Sequence, residues 1–486
     1  MGVLKKLLLI AALLVTCNSC FGAFTEFYCQ TTGSNLNAGS TATDAATLTY
    51  ASGTWVVGTG VFTVASGDPA SDGVAVGDWA SVYPDAATVG VFVGRVTARD
   101  ATTITVSLTA KSGTAPVDGT ANTTLKIGGA WKGPNGTEDF PFGFIQNTMV
   151  DASANTTRVN MKTGTYSVTD GVTHGNIGPV LFQGYTSTVA DLGRWTLDGG
   201  TSGAAYILLT LSAADWMLAD TIVQNNGASS TAAGISASGA RGTMLRVTAN
   251  SLRGSGFNLA AGDQYIIECE AYSCNQSNNA GSAGFFMNTA GLYTFVRCVA
   301  RDNTTSNTCG WNTATGNGRN FNAFYCIADS NGSHGMQMDS GQSPGTVIKN
   351  CDFYGNGGDG YRQDGGTGPN RLIIENCNFI SNGGYAINRT DSASSFLQST
   401  FNGFYSNTSG TINNFSTGLL ERGSITYSSS PYVDGPNGNF IVNSIQAKGA
   451  ARGAFGSFVT TVSYPDMGAS QHPDAASPTI AFTSGQ

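Results

Sequence analysis

Residues 350–362, NCDFYGNGGDGYR, and residues 376–388, NCNFISNGGYAIN, superimpose in one frame 26 positions apart. In each, a Cys is followed two residues later by Phe, five later by Asn and ten later by a large apolar residue. The frame extends backwards: Cys269, Cys298, Cys326, Cys351 and Cys377 are separated by 29, 28, 25 and 26 residues. Asn303, Asn331, Asn356 and Asn382 each lie five residues past a cysteine, and Asn226 and Asn407 continue the series at its ends. The apolar residue returns as Phe257, Phe285, Trp311, Met336, Tyr361, Ile387 and Ile412. Self-similarity at a fixed period of this length means stacked structural units.

Each unit holds two or three short apolar stretches parted by Asn- and Gly-rich bends, with no helical stretch between them. Such a unit is one coil of a parallel β-helix, whose coils stack about 4.8 Å apart. Inward positions then form columns of like residues: the cysteines, flanked by Ala271, Ala300, Ala328, Phe353 and Phe379. In Lys349-Asn350-Cys351 and Glu375-Asn376-Cys377 the alternation slips by one residue, which places a corner between two strands. Parallel side chains on adjacent coils sit near the limit for a relaxed disulfide, so buried free thiols are expected. The column Phe285, Trp311, Tyr361 is expected in the core rather than outside, stacking on sugars.

Composition agrees. Of 486 residues only 11% are charged and 65 are Gly, against about 25% charged in ordinary globular chains. So few Lys, Glu and Arg exclude helical bundles and doubly wound α/β folds. The 23 basic and 31 acidic residues, net −8, are scattered singly and offer no basic stripe for nucleic acid.

Lys5 and Lys6 precede the apolar run Leu7 to Val15, the pattern of a secretory signal with cleavage after Gly22. A lipoprotein signal ending before Cys17 is the alternative, with Thr16 where Gly, Ala or Ser is usual. Nine apolar residues are too few to span a bilayer, and no later run approaches that length. The mature protein is therefore expected to be secreted or attached to the cell surface.

With these ladders in place, the chain resembles the secreted bacterial right-handed parallel β-helix proteins of the pectate-lyase-like superfamily. Phe27-Tyr28-Cys29, Thr32-Gly33-Ser34, Asn37-Ala38-Gly39, Pro141-Phe142, Arg158 to Met161 and Gly164-Thr165-Tyr166 look like the opening strand and first coil of its members. The resemblance implies an opening strand within 23–41, a right-handed β-helix over 132–415, and last coils with a C-terminal cap over 416–486. Tyr464-Pro465-Asp466-Met467-Gly468-Ala469 is similar to the closings of such proteins. Residues 42–131 lack the period but alternate at Val89-Val91-Val93 and Ile104-Val106-Leu108. They are expected to form a small β-barrel or sandwich inserted near the N-terminal cap.

Fold alone gives no activity. The paired Asp-Asp, Gly-His-Gly and Arg-x-Lys of polygalacturonase-like hydrolases are not intact; Ser333-His334-Gly335 comes nearest. In the repeat frame His334 and Asp359 occupy equivalent places on adjacent coils, as do Asp339 and Asp364, with Arg362 between. Carboxylates about 5 Å apart must be solvated, share a proton or hold a cation such as Ca2+, and a retaining glycosidase needs similar spacing. His334, Asp339, Asp359, Arg362 and Asp364 are thus the candidate catalytic set. The competing reading makes Asp359 and Asp364 turn formers. Arg297 and Lys349, beside the cysteine column, are candidates for a lyase base. The expected partner is a polysaccharide or cell-surface glycan, engaged by a binder or by a divergent lyase or hydrolase. The alternative is a structural or adhesive surface protein, or a phage tailspike-like component, without catalysis.

Overall fold

In the computed structural model the described residues are 25–84, 91–111, 120–134, 157–175, 179–189, 191–200, 206–226, 232–278, 282–314, 319–338, 345–364, 371–390, 396–415, 418–444, 446 and 468–469. The segment expected to be a secretory signal, Pro141-Phe142 and Asp339 lie outside them. The chain divides into two compact units, 6–261 and 262–486.

In the first unit, the strand Thr25–Cys29 pairs in parallel with Thr157–Lys162, which pairs in turn with Val180–Tyr185. Between the first two lies a closed antiparallel barrel. Its six strands run in the spatial order Leu48–Val56, Val61–Thr63, Thr103–Lys111, Phe92–Arg99, Trp79–Pro84, Thr120–Ile127. Alternation sends Trp55, Phe62, Val82, Val96, Ile104 and Leu125 into its core. The two chain crossings where the barrel leaves and rejoins the coil are held together: the Trp131 indole N–H donates to the Asn37 carbonyl at 2.9 Å, and the Trp131 ring stacks on Phe27 at 4.9 Å. Coils follow, with Val172–His174, Leu209–Leu211, Ile235–Ala237 and Phe257–Leu259 stacked in parallel register.

The second unit repeats one coil of three strands. A longer strand such as Gly345–Lys349 is followed after a corner by a short one, Asp352–Tyr354, and after a second bend by a third, Tyr361–Gln363. The first corner falls on Glu268, Arg297, Tyr325, Asn350, Asn376 and Phe401, all with φ between 53° and 57°. Left-handed backbone costs an ordinary L-residue about 1 kcal/mol or more. Here it is fixed by the next coil: the corner N–H of Tyr325 donates to Lys349 O at 3.1 Å, that of Asn350 to Glu375 O at 3.0 Å, and that of Asn376 to Thr400 O at 3.1 Å. The corner expected at Asn350 and Asn376 is therefore present on every coil.

The cysteine after each of the first five corners points inward, with Asn402 in that place after Phe401, and the eight described cysteines are buried thiols outside any disulfide. The Cys351 and Cys377 thiols donate to Lys349 O and Glu375 O at 3.3 Å. Burial holds the Cys298 and Cys351 thiols well above the ordinary range, so they are packing groups rather than nucleophiles. Next to them run the aromatic stacks, with Phe353 and Phe379 at 4.6 Å and Phe285 on Trp311 at 5.2 Å.

The asparagines occupy the second bend, and Asn356 and Asn382 each satisfy all four valences of the side-chain amide. The Asn356 Oδ1 accepts from the Asn331 N–H at 3.2 Å and from Asn331 Nδ2 at 2.9 Å. Its Nδ2 donates to Asn382 Oδ1 at 2.9 Å and to Ala328 O at 3.1 Å. Asn303 and Asn382 extend the chain at 2.8 Å to Asn331 and Asn407. Glycines let the third strand approach this ladder: a Cβ on Gly335 would sit 2.9 Å from Asn356 Nδ2, and one on Gly360 2.6 Å from Phe379.

Beyond the last coil strands, Leu419–Arg422 and Ile425–Thr426, the described part of the expected cap lies on the flank of the coils. The hairpin Tyr432–Asp434 and Asn439–Val442 places Tyr432, Phe440 and Val442 over the outward residues Ile327, Tyr354, Ile380 and Tyr405. These apolar positions, each alternating outward on its short strand, are what the hairpin covers. A buried carboxylate pins it: Asp352 Oδ1 accepts from the Tyr432 hydroxyl at 2.6 Å and Asn378 Nδ2 at 3.1 Å, and its Oδ2 from the Ala469 N–H at 2.8 Å. Gly468 donates to Asn376 O at 2.8 Å. Its φ of 98° and a Cβ position 2.3 Å from Asp352 Oδ1 both demand glycine.

Two outcomes follow from these contacts. Asn356→Ala strands the Asn331 donors and the Asn382 and Ala328 acceptors, and is expected to lower unfolding free energy in urea by about 3 kcal/mol; a loss within error of zero would deny the ladder its role. Gly468→Val is expected to free the tail, seen as faster limited proteolysis C-terminal to the last coil while the coils stay resistant.

Candidate functional site

The third strands of the second unit stack in the register Trp311↔Met336↔Tyr361↔Ile387↔Ile412. Those side chains are inward, so the aromatic column is core. The alternate residues Asn312, Gln337, Arg362, Asn388 and Asn413 form one outward column. Extending the register toward the bend places Cys309, His334, Asp359 and Tyr385 at equivalent positions on successive coils. Glycines make room here by close approach: a Cβ on Gly358 would lie 2.6 Å from His334 Nδ1, and one on Gly384 2.2 Å from Asp359 Oδ1.

Four of the five candidate residues come together. The Arg362 Nε donates to Asp364 Oδ1 at 2.6 Å, and Arg362 Nη1 lies 3.0 Å from His334 Nε2. The Asp359 N–H donates to His334 Nδ1 at 2.8 Å, with Asp359 Oδ2 3.4 Å from the same nitrogen. Asp359 is not merely a turn former. It joins its coil to the next, accepting from the Tyr385 N–H at 2.7 Å and from Asn388 Nδ2 at 2.8 Å.

Gln337, Asn388, Asn413 and Cys309 complete the cluster, and the sequence reading passed over all four. The Cys309 thiol donates to Gln337 Oε1 at 3.0 Å, which turns Gln337 Nε2 toward Asp364 Oδ2 at 2.6 Å. Asn413 Nδ2 donates to Asn388 Oδ1 at 3.0 Å. One hydrogen-bonded strip thus runs from Cys309 to Asn413. The signal that could have found it is the polar residue directly after each inward apolar one: Asn312, Gln337, Arg362, Asn388, Asn413.

His334 meets a donor at each ring nitrogen. A neutral imidazole accepts at one of them, whereas a protonated ring would present N–H to both. Burial first, and then the Arg362 charge, push its pKa from 6.5 down to about 4, against the opposing pull of Asp359 and Asp364. It is neutral at ordinary pH and suited to receiving a hydrogen bond, not to charge stabilisation.

Arg297 and Lys349 lie on the other sheet. Arg297 is a corner residue paired with Glu268 at 3.1 Å, and Lys349 is paired with Glu375 at 2.5 Å. The described acid displaced upward is Asp329, raised to about 6 by burial and then by Asp302, with its Oδ1 accepting from Ser330 Oγ at 2.8 Å. It belongs to the short strand Ile327–Asp329, outside the strip. Among the described residues no group of three His, Cys, Asp or Glu side chains could hold a metal ion, and no helix is long and apolar enough to cross a membrane.

Fold and ladder define the class: the chain carries a right-handed parallel β-helix. Residues 233–403 match the family described as right handed beta helix region. Among solved structures the chain is similar to a pectate lyase, at 16% identity and a TM-score of 0.49, covering 65% of this chain and 88% of that one. It is also similar to the Azotobacter vinelandii mannuronan C-5 epimerase A-module, at 12% identity and a TM-score of 0.38, covering 56% and 89%. A third likeness is to a Geobacillus virus E2 protein, at 16% identity and a TM-score of 0.42, covering 58% and 56%. No curated protein matches the sequence.

Because unfolded His binds its proton below 6.5 and folded His334 only below about 4, stability is expected to fall as pH drops between those values, by up to about 3 kcal/mol. His334→Gln, which can still accept from Asp359, should flatten that limb of a urea-melt pH series; identical slopes would assign the acid sensitivity elsewhere.

Proposed function

We propose that this is an exported β-helix protein that binds a polysaccharide along the outward strip of its third strands, holding the chain without cleaving it. The observation that supports this reading is the continuous hydrogen-bonded strip from Cys309 through Gln337, Asp364, Arg362, His334, Asp359 and Asn388 to Asn413. Its groups recur once per coil, about 4.8 Å apart, near the length of one sugar residue, and carry planar amides and a guanidinium already oriented by their neighbours. Preorganised polar groups recognise hydroxyls at low entropic cost.

Turnover is less well served. A general acid or nucleophile needs a carboxyl oxygen available to substrate. Both oxygens of Asp359 accept bonds from the next coil, and both of Asp364 accept from Arg362 and Gln337. The apolar seam of the coils supplies stability, and the strip supplies recognition.

The test is affinity electrophoresis of the full chain in gels cast with a panel of soluble polysaccharides, with reducing ends and ultraviolet absorbance of unsaturated products followed in parallel. Arg362→Ala is expected to weaken retention about tenfold or more with an unchanged melting curve and no products from either protein. Equal retention of variant and wild type would remove the strip from the function, and product formation would make the protein an enzyme.

A further inference from the structure

The balance of charge along the strip says which polysaccharide it accepts, an inference that rests on the glycan-binding reading above. Arg362 is the strip's outward cation, and it is turned sideways: its Nε is held by Asp364 at 2.6 Å and its Nη1 faces His334. Asp364 is fixed from the other side by Gln337. Asp359 adds a second carboxylate, and the buried Arg389, on the strand Tyr385–Arg389, adds a second cation beneath the strip. Among the described residues of the strip and the layer beneath it, two cations and two carboxylates cancel. The remaining outward groups, Gln337, Asn388 and Asn413, are uncharged amides.

We infer that the strip is built for a polysaccharide of uncharged sugars and discriminates against uronate polymers, with Asp364 as the discriminating residue. A uronate chain brings one carboxylate per sugar. To pair side-on with Arg362 it would have to displace Asp364, and to reach the remaining Nη2 it would have to stand beside the negative charge of that carboxylate. Like charges brought together in a partly dehydrated site select against the wrong partner more sharply than missing contacts do. A divalent cation could bridge the two, but the described residues offer no cluster of three acidic, His or Cys ligands to hold one. Removing the charge of Asp364 while keeping its shape would leave Arg362 uncompensated and open to a substrate carboxylate. The same side chain that orients the guanidinium for hydroxyls thus also vetoes uronates.

The experiment compares the full wild-type chain with Asp364→Asn on matched polymer pairs. A soluble glucan, mannan and galactan are each used native and after oxidation at C6 to the uronate, so the two members differ only in charge. Wild type is expected to bind at least one native polymer and its oxidised form about tenfold or more weaker. Asp364→Asn, checked for an unchanged far-ultraviolet spectrum and melting curve, is expected to gain about tenfold for the oxidised form. Wild-type retention on the native polymer should also be insensitive to salt between about 0.02 and 0.5 M, a readout that does not depend on the variant folding. An oxidised polymer bound by wild type as tightly as its parent, or an unchanged preference in a folded Asp364→Asn, would overturn the assignment while leaving glycan binding in place. Retention of no polymer in either form would overturn the glycan reading and this inference together.

Discussion

The coiled architecture depends on one constraint: every buried amide on one coil must be answered by the next coil in the same register. The asparagine at the second bend meets it most fully. Its carbonyl takes two donors from the coil before it, and its amino group serves two acceptors, one of them on the coil after it. A chain with few charges and many Asn, Ser and Thr can afford a polar interior edge only if the valences close in this way. The corner residues obey the same rule through their backbone, since a left-handed residue whose N–H reaches the neighbouring coil is held there despite its local cost.

The outward strip is the same principle turned toward solvent. Asp359, Gln337 and Asn388 each bond to a group one coil away, so the strip inherits the spacing and rigidity of the stack beneath it. Its charges are distributed by the repeat as well: Arg362 and Asp364 are two residues apart on one coil, while His334 reaches Arg362 from the coil before. A site assembled from five consecutive coils is therefore as precise as the core.

Much of the fold was legible because its strongest signals are periodic. The Cys, Asn and apolar columns set a register that brings His334, Asp359, Arg362 and Asp364 into one neighbourhood from the sequence alone. What escaped the reading has physical causes. Glu268, Arg297, Tyr325 and Phe401 turn corners without a glycine or asparagine to mark them, because tertiary hydrogen bonds override local preference. Cys309 was passed over because it lies outside the periodic cysteine column, and only the register of the third strand shows its sulfur meeting Gln337. Closure of the inserted barrel required pairing Leu48–Val56 with Thr120–Ile127, a contact that alternation alone does not specify. The tail's place on the flank was hidden for the same reason: Asp352 and Ala469 are 117 residues apart.

That last contact has a consequence for how the molecule can change in length. Because each ladder asparagine sees only its neighbours, a coil of about 25 residues could be duplicated or lost with every local bond re-formed. The tail does not share this indifference. It is fastened at Asp352 and Asn376 yet leaves the stack only after the strand Ile425–Thr426. Any coil added between those points would have to be spanned by the same returning segment. The fastening therefore acts as a ruler, fixing the number of coils downstream of Asp352 while leaving the number upstream free to vary.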